Sequence, residues 1–397
     1  MKAHGYGGKC DFATRYHHSY LNRWFNDRYT GFLIVFLTIT YFPFFTLFAQ
    51  PQDANQTIKS GQELYLAACA SCHGADGRGE SQVIVGFDTP LPDFTDCQFA
   101  SREPDADWII VAHEGGPVRG FSEMMPAFGE ALTEDELQRI ISFIRNFCDD
   151  AAWPRGELNL PRPLNTEKAF PEDEAVVTTT IDAEGSGSVK NDLLYERRFG
   201  SQNQVEVNIP VSARRLESSD WRGGIGDISI GYKRVLFHSI KSGSIFSLGG
   251  EIILPTGKEN DGLGKGFTIF EAFTAFGKIL PSDGFFHFQS GIEVPTDRDR
   301  AKEEIFWKAA GGKTFAANNG FGRSWSPMLE VLGVYEVEEK QTQWDLVPQM
   351  QVSLNTRQHI LLGAGVRIPV SNADLRPTQI MLYLLWDWFD GGIRDGW

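Results

Sequence analysis

The sequence predicts a multidomain chain: a small all-α domain followed by an antiparallel transmembrane β-barrel of about 12 strands. Three observations carry this reading. Helical periodicity brackets a Cys-x-x-Cys-His pentapeptide between residues 53 and 150. From residue 175 the apolar pattern changes to period two and holds nearly to the C-terminus. Between them, residues 151–174 contain four prolines and no sustained periodicity, and read as a stiffened Pro-rich linker.

Composition excludes some functions. The 397 residues include 52 acidic and 37 basic side chains, a net charge of −15 without a basic run, so nucleic acid is not an expected partner. At the N-terminus, a polar, net basic stretch is followed by an uncharged apolar run from Gly31 to Ala49. That order describes a secretory signal peptide over residues 1–49, or alternatively an N-terminal membrane segment.

The α domain is organised around Cys69-Ala-Ser-Cys72-His73. Two thiols three residues apart can add to the two vinyl groups of a haem, and the adjacent histidine then becomes the proximal iron ligand. A zinc knuckle would need a second ligand pair, whereas Cys97 and Cys148 stand alone and 51 residues apart. One covalent haem c is therefore expected, in an exported protein. In such a compartment Cys97 and Cys148 are candidates for a disulfide, the alternative being two separately buried thiols.

Residues 58–69 are compatible with a helix that delivers the haem cysteines at its end. Thr133-Glu-Asp-Glu136 reads as a capping box, and Leu137, Ile140, Ile141 and Ile144 behind it form one apolar helix face. Two terminal helices around a haem resemble the plan of class I cytochromes c. Met124-Met125-Pro126-Ala127-Phe128-Gly129 is similar to the distal methionine loop of that family. The resemblance implies Met125 as the sixth iron ligand, with Met124 as runner-up. His113 is the competing distal residue, and otherwise a surface or outer histidine. His/Met ligation leaves no open coordination position and favours electron transfer over peroxide or oxygen chemistry. Residues 53–150 carry 18 acids against six bases, a net of −12, so a basic periplasmic redox protein is the expected partner.

In the C-terminal half, Val205, Val207, Ile209 and Val211 alternate with Glu206 and Asn208, and Phe286, Phe288 and Ile292 alternate with His287, Gln289 and Glu293. Twelve such segments start near residues 175, 188, 203, 224, 243, 267, 284, 303, 326, 342, 358 and 378. A soluble sandwich also alternates. Strand length, an even count and aromatics near strand ends (Phe285, Phe286, Trp325, Trp386, Trp388, Phe389) favour a barrel in outer-membrane lipid. The terminal Trp397 resembles the outer-membrane assembly signal. Glu206, Lys233, Glu251, Glu293, Glu330, Glu336 and Arg367 fall opposite the apolar faces and should line the lumen, without marking a substrate.

The Ile-Leu-Pro-Thr-Gly and Val-Pro-Thr strand ends, with Leu194-Tyr-Glu-Arg-Arg-Phe-Gly200, resemble outer-membrane barrels associated with aromatic-compound degradation. The layout also resembles the cytochrome–porin fusions that oxidise ferrous iron. This chain departs from them in its smaller barrel and its full cytochrome domain with a methionine loop, so iron oxidation is not carried over. The expectation is a mono-haem cytochrome anchored to an outer-membrane barrel, with the haem domain in the periplasm: a carrier of single electrons, not an enzyme. The alternatives are a porin or transporter for a small solute or redox mediator with an accessory haem domain, and a haem enzyme such as a peroxidase.

Overall fold

A computed structural model of the chain describes residues 59–87, 90–185, 187–215, 221–316, 323–354 and 358–387. The expected signal segment (1–49) and the aromatics Trp388, Phe389 and Trp397 lie outside the described residues.

The N-terminal part is helical: α1 (Gly61–Ala68), α2 (Ala70–His73), α3 (Gln82–Val85), α4 (Cys97–Ala100), α5 (Asp105–Glu114) and α6 (Glu134–Ile144). Both terminal helices begin with reciprocal caps. The Thr133 hydroxyl accepts the Glu136 amide while Glu136 accepts the Thr133 amide at 2.9 Å, and Ser60 and Glu63 do the same at α1. The caps hold both glutamates below the usual carboxylate range, chiefly through the backbone bond to Thr133 or Ser60. Helices α1 and α6 cross closely at Gly61, where an added Cβ would stand 2.1 Å from the Arg139 carbonyl oxygen. Leu64, Tyr65, Ile140, Ile141 and Ile144 form the core at this crossing. A disulfide joins Cys97 at the start of α4 to Cys148 after α6.

The C-terminal part begins with β1 (Glu174–Asp182), β2 (Ser188–Phe199), β3 (Asn203–Arg215), β4 (Trp221–Ile225), β5 (Ser229–Ser239), β6 (Ser244–Ile253) and β7 (Ile269–Leu280). It continues with β8 (Gly284–Pro295), β9 (Glu304–Lys313), β10 (Phe315–Ala316), β11 (Ser324–Glu336), β12 (Gln341–Ser353), β13 (Ile360–Pro369) and β14 (Gln379–Asp387). Since β4 and β5 both pair with β3, and β9 and β10 both with β11, these fourteen segments make twelve staves. Antiparallel pairing of β1 with β14, from Glu174↔Asp387 to Asp182↔Gln379, closes the barrel. Outward positions are apolar and exposed, among them Leu193, Leu248, Phe270, Ile292, Leu329 and Leu384. A closed barrel satisfies every strand hydrogen bond internally, and with an apolar exterior it is the sheet form that spans a bilayer. Phe285 does not join the aromatic girdle; it turns inward, 2% exposed, against Leu160 and Met328.

Most of the segment read as a stiffened Pro-rich linker, 151–174, runs through the lumen and fills it. Residues 158–173 pass inside the barrel, where Leu158, Ala169 and Phe170 pack against Val235, Ile245, Phe273 and Phe306. This plug has little backbone pairing of its own, so the wall must supply its hydrogen bonds. Amides of Arg162, Leu164, Glu167 and Glu172 donate to the side-chain oxygens of Gln351, Gln349, Gln289 and Gln204 at 2.7–3.0 Å. Glu330, wholly buried, accepts the Thr166 amide (2.8 Å) and hydroxyl (2.7 Å), the Asn165 amide (3.2 Å) and the Gln349 side-chain amide (2.6 Å). Plug carbonyls are met in turn: Ser247 Oγ donates to Ala169 (2.5 Å), Lys233 Nζ to Lys168 (2.6 Å) and Tyr383 OH to Arg162 (3.0 Å). Arg162 pairs with both Glu174 and Glu196, and Lys233 with Glu167.

Replacing Glu330 strands two plug amides and a hydroxyl in a buried setting, at about 1–3 kcal/mol for each orphaned group. Glu330→Ala is expected to destabilise the barrel by about 3 kcal/mol or more, read as a lower temperature for loss of the compact band on unboiled gels. An unchanged melting temperature would show that this bond network does not hold the plug.

Candidate functional site

Tyr65, fully buried on α1, sets the first part of the site: its hydroxyl donates to the Gly74 carbonyl at 2.7 Å. That bond fixes the end of the Cys69–His73 turn, where the Cys72 and His73 amides donate to the Cys69 carbonyl at 3.1 and 2.9 Å. Gly74, at φ +73°, reverses the chain directly after the histidine. Cys69 and Cys72 are free thiols, while Cys97 and Cys148 are bonded to each other. His73 stacks on Phe94 with ring centroids 5.1 Å apart. Burial lowers its pKa to about 4, so the imidazole is neutral at physiological pH, the form that ligates a metal. Its Nδ1 is buried without a hydrogen-bond partner.

The methionine loop lies across the C-terminal end of α5. The Gly116 amide donates to the Met125 carbonyl at 3.0 Å, the Phe128 amide to Ala112 at 3.0 Å, and the Gly129 amide to His113 at 2.9 Å. These bonds fix Met125 from both sides, whereas Met124 is half-exposed and reaches toward Gly86 after α3. His113 has other duties. Its Nδ1 lies 2.7 Å from Glu114 Oε1, and its ring packs so closely on Gly129 that an added Cβ would stand 2.5 Å away.

Two free thiols beside a half-buried, neutral imidazole whose Nδ1 has no hydrogen-bond partner among the described residues fit a covalently held haem. The domain also leaves Val83, Ile84, Phe121 and Met124 exposed, an apolar surface of the kind a porphyrin face covers.

Residues 56–144 match the sequence family described as "Cytochrome C oxidase, cbb3-type, subunit III". The helical part is a cytochrome c domain. Such a domain carries covalently bound haem c, and Cys69 and Cys72 are the thiols that would hold it here. None of the curated proteins matches the chain. Among solved structures, the barrel is similar to the KdgM porin, at 8% identity and a TM-score of 0.38 over 54% of this chain and 99% of that one. It is also similar to the COG4313 outer membrane channel from Pseudomonas putida F1, at 12% identity and a TM-score of 0.40 over 57% and 100%. At these values the assignment of an outer-membrane barrel rests on the strand closure and apolar exterior described above.

The cytochrome domain is fastened to the barrel by buried ion pairs. Arg102 pairs with Asp173, which also accepts the Arg198 amide at 3.0 Å, and His359 Nε2 lies 3.1 Å from Glu103 Oε1. Gly156 lets the chain approach within backbone contact of Arg102. Arg145 and Arg155 both bond Asp105, at 2.8 and 2.7 Å, tying the last helix to the start of the plug. Sequence reasoning missed this joint because its partners lie up to 256 residues apart.

In Cys72→Ala one of the two covalent attachments is lost. Haem-stained protein on a denaturing gel is expected to fall at least severalfold; staining equal to the parent would refute Cys72 as an attachment point.

Proposed function

We propose that this chain is a mono-haem c-type cytochrome held on an outer-membrane barrel, carrying single electrons at the periplasmic face. The observation that carries the reading is the pair of free thiols, Cys69 and Cys72, beside half-buried, neutral His73. The sequence has one Cys-x-x-Cys-His, hence one haem. Haem c supplies a one-electron Fe(III)/Fe(II) couple. His73 would offer an imidazole and Met125 a thioether to the iron, ligands that would leave no coordination position open for substrate. That supports an electron carrier rather than an enzyme.

The periplasmic placement is supported by the barrel's ends. The cytochrome domain meets the barrel at His359, at the end where β1 begins and where the turns 200–202 and 240–243 lie. The connections 254–268, 296–303 and 370–378 lie at the other end, and outer-membrane barrels keep their shorter turns in the periplasm. A basic redox partner is supported by charge. Residues 53–150 carry 18 acids against six bases, and one of those bases, Arg102, is turned inward onto Asp173. The reading as a porin with an accessory haem domain stands second, because the plug occupies the lumen.

A redox-titrated spectrum tests the axial assignment. Met125→Ala is expected to lower the midpoint potential and admit cyanide at low concentration, and Met124→Ala to do neither. The opposite pattern would move the ligand to Met124; no change in either variant would move it to His113.

A further inference from the structure

Above the plug, on the side away from the cytochrome domain, the lumen keeps a cavity of about 420 Å³. Arg162, Pro163, Leu164 and Asn165 of the plug form its floor, and Glu206, Asn208 and Glu251 stand on its wall. That volume lies within the range of small-molecule sites.

The charges around it are unevenly satisfied. Its cations are committed to carboxylates already in place: Arg162 to Glu174 and Glu196, Lys190 to Asp192 at 2.9 Å, and Arg367 to Asp345 at 2.7 Å. Glu206 is not matched in this way. It is 8% exposed, and its Oε2 accepts from the Gln204 amide at 3.1 Å. No cation among the described residues pairs with it, and Lys233 is held by Glu167 at 2.5 Å. Asn208, on the same wall, donates from Nδ2 to Asp192 at 3.4 Å, while its buried Oδ1 accepts no hydrogen bond among the described residues.

Strand register extends the imbalance. Glu251, Glu271, Glu293, Glu304 and Glu336 stand directly opposite one another in turn across β6, β7, β8, β9 and β11. All five occupy inward positions, and none is ion-paired among the described residues; Lys308 acts on Glu251, Glu271 and Glu293 from a distance, its Nζ lying 4.9 Å from the Phe306 ring centre. Like charges directly opposite in a sheet repel, and one lysine does not balance a row of five carboxylates, so a further cation against the wall relieves it.

We infer that the cavity above the plug binds a small solute bearing a positively charged nitrogen, anchored by Glu206 and Glu251 and reached along the glutamate row. A nitrogen cation fits better than a metal ion. Glu167, Glu196 and Glu206 come within 4.8 Å of one another, yet Glu167 is taken by Lys233 and Glu196 by Arg162 and Gln204. What remains, Glu206, Glu251 and the orphaned Asn208 oxygen, is a set of acceptors suited to N–H donors.

The test is calorimetric titration of the full-length holoprotein in detergent with putrescine, with succinate as a dianion of the same length, and with Mg²⁺. Putrescine is expected to bind at one site, and Glu206→Gln/Glu251→Gln to weaken it at least tenfold without changing the haem spectrum or the compact gel band. Should the double variant fail to fold, Glu251→Gln alone is expected to weaken binding at least threefold. Absence of putrescine binding, unchanged affinity in the variants, comparable succinate binding, or uptake of Mg²⁺ in its place would each overturn the inference.

Discussion

The structure depends on one constraint: a chain segment inside the barrel, with little secondary structure of its own, must find partners for its amides and carbonyls. Residues 158–173 find them on the wall, through Gln204, Gln289, Gln349, Gln351 and Glu330 as acceptors and Ser247, Lys233 and Tyr383 as donors. Each bond costs the wall a polar group in an enclosed setting, and the plug returns that cost by satisfying it. Because the plug leads straight into β1, the same network fills the lumen and anchors the strand that closes the barrel.

The haem domain inherits its position from this arrangement. Asp173, the last plug residue before β1, carries Arg102 of the cytochrome domain, and Asp105 gathers Arg145 and Arg155 at the other end of the joint. Buried pairs of this kind fix geometry more than they add stability. Electron transfer falls steeply with distance, so in the proposed carrier a rigid mount would serve better than a free tether. An acidic surface would steer a basic partner over about a Debye length.

Much of this was legible in the sequence. The period-two runs located all twelve staves because outward and inward residues largely alternate, and Cys69-x-x-Cys72-His73 marked the domain that the cytochrome family match covers. The capping box at Thr133–Glu136 was legible for the same local reason. The plug was not. Four prolines and absent periodicity describe a solvated connector as well as a buried one, and the difference lies in glutamines about 30 to 190 residues downstream. Inward glutamines in mid-strand were the available signal, since a water-filled lumen has no need of long neutral amides. The glutamate row was visible as lumen-facing residues, but its alignment depends on strand register, which turn lengths set.

The central claim is that the barrel is a plugged mount for the cytochrome and not an open pore, and single-channel recording in planar bilayers tests it most directly. The intact holoprotein is expected to show no steady conductance, while a variant with residues 158–171 replaced by a Gly/Ser chain of equal length opens stable channels. Steady conductance of the same size from the intact protein would contradict the account.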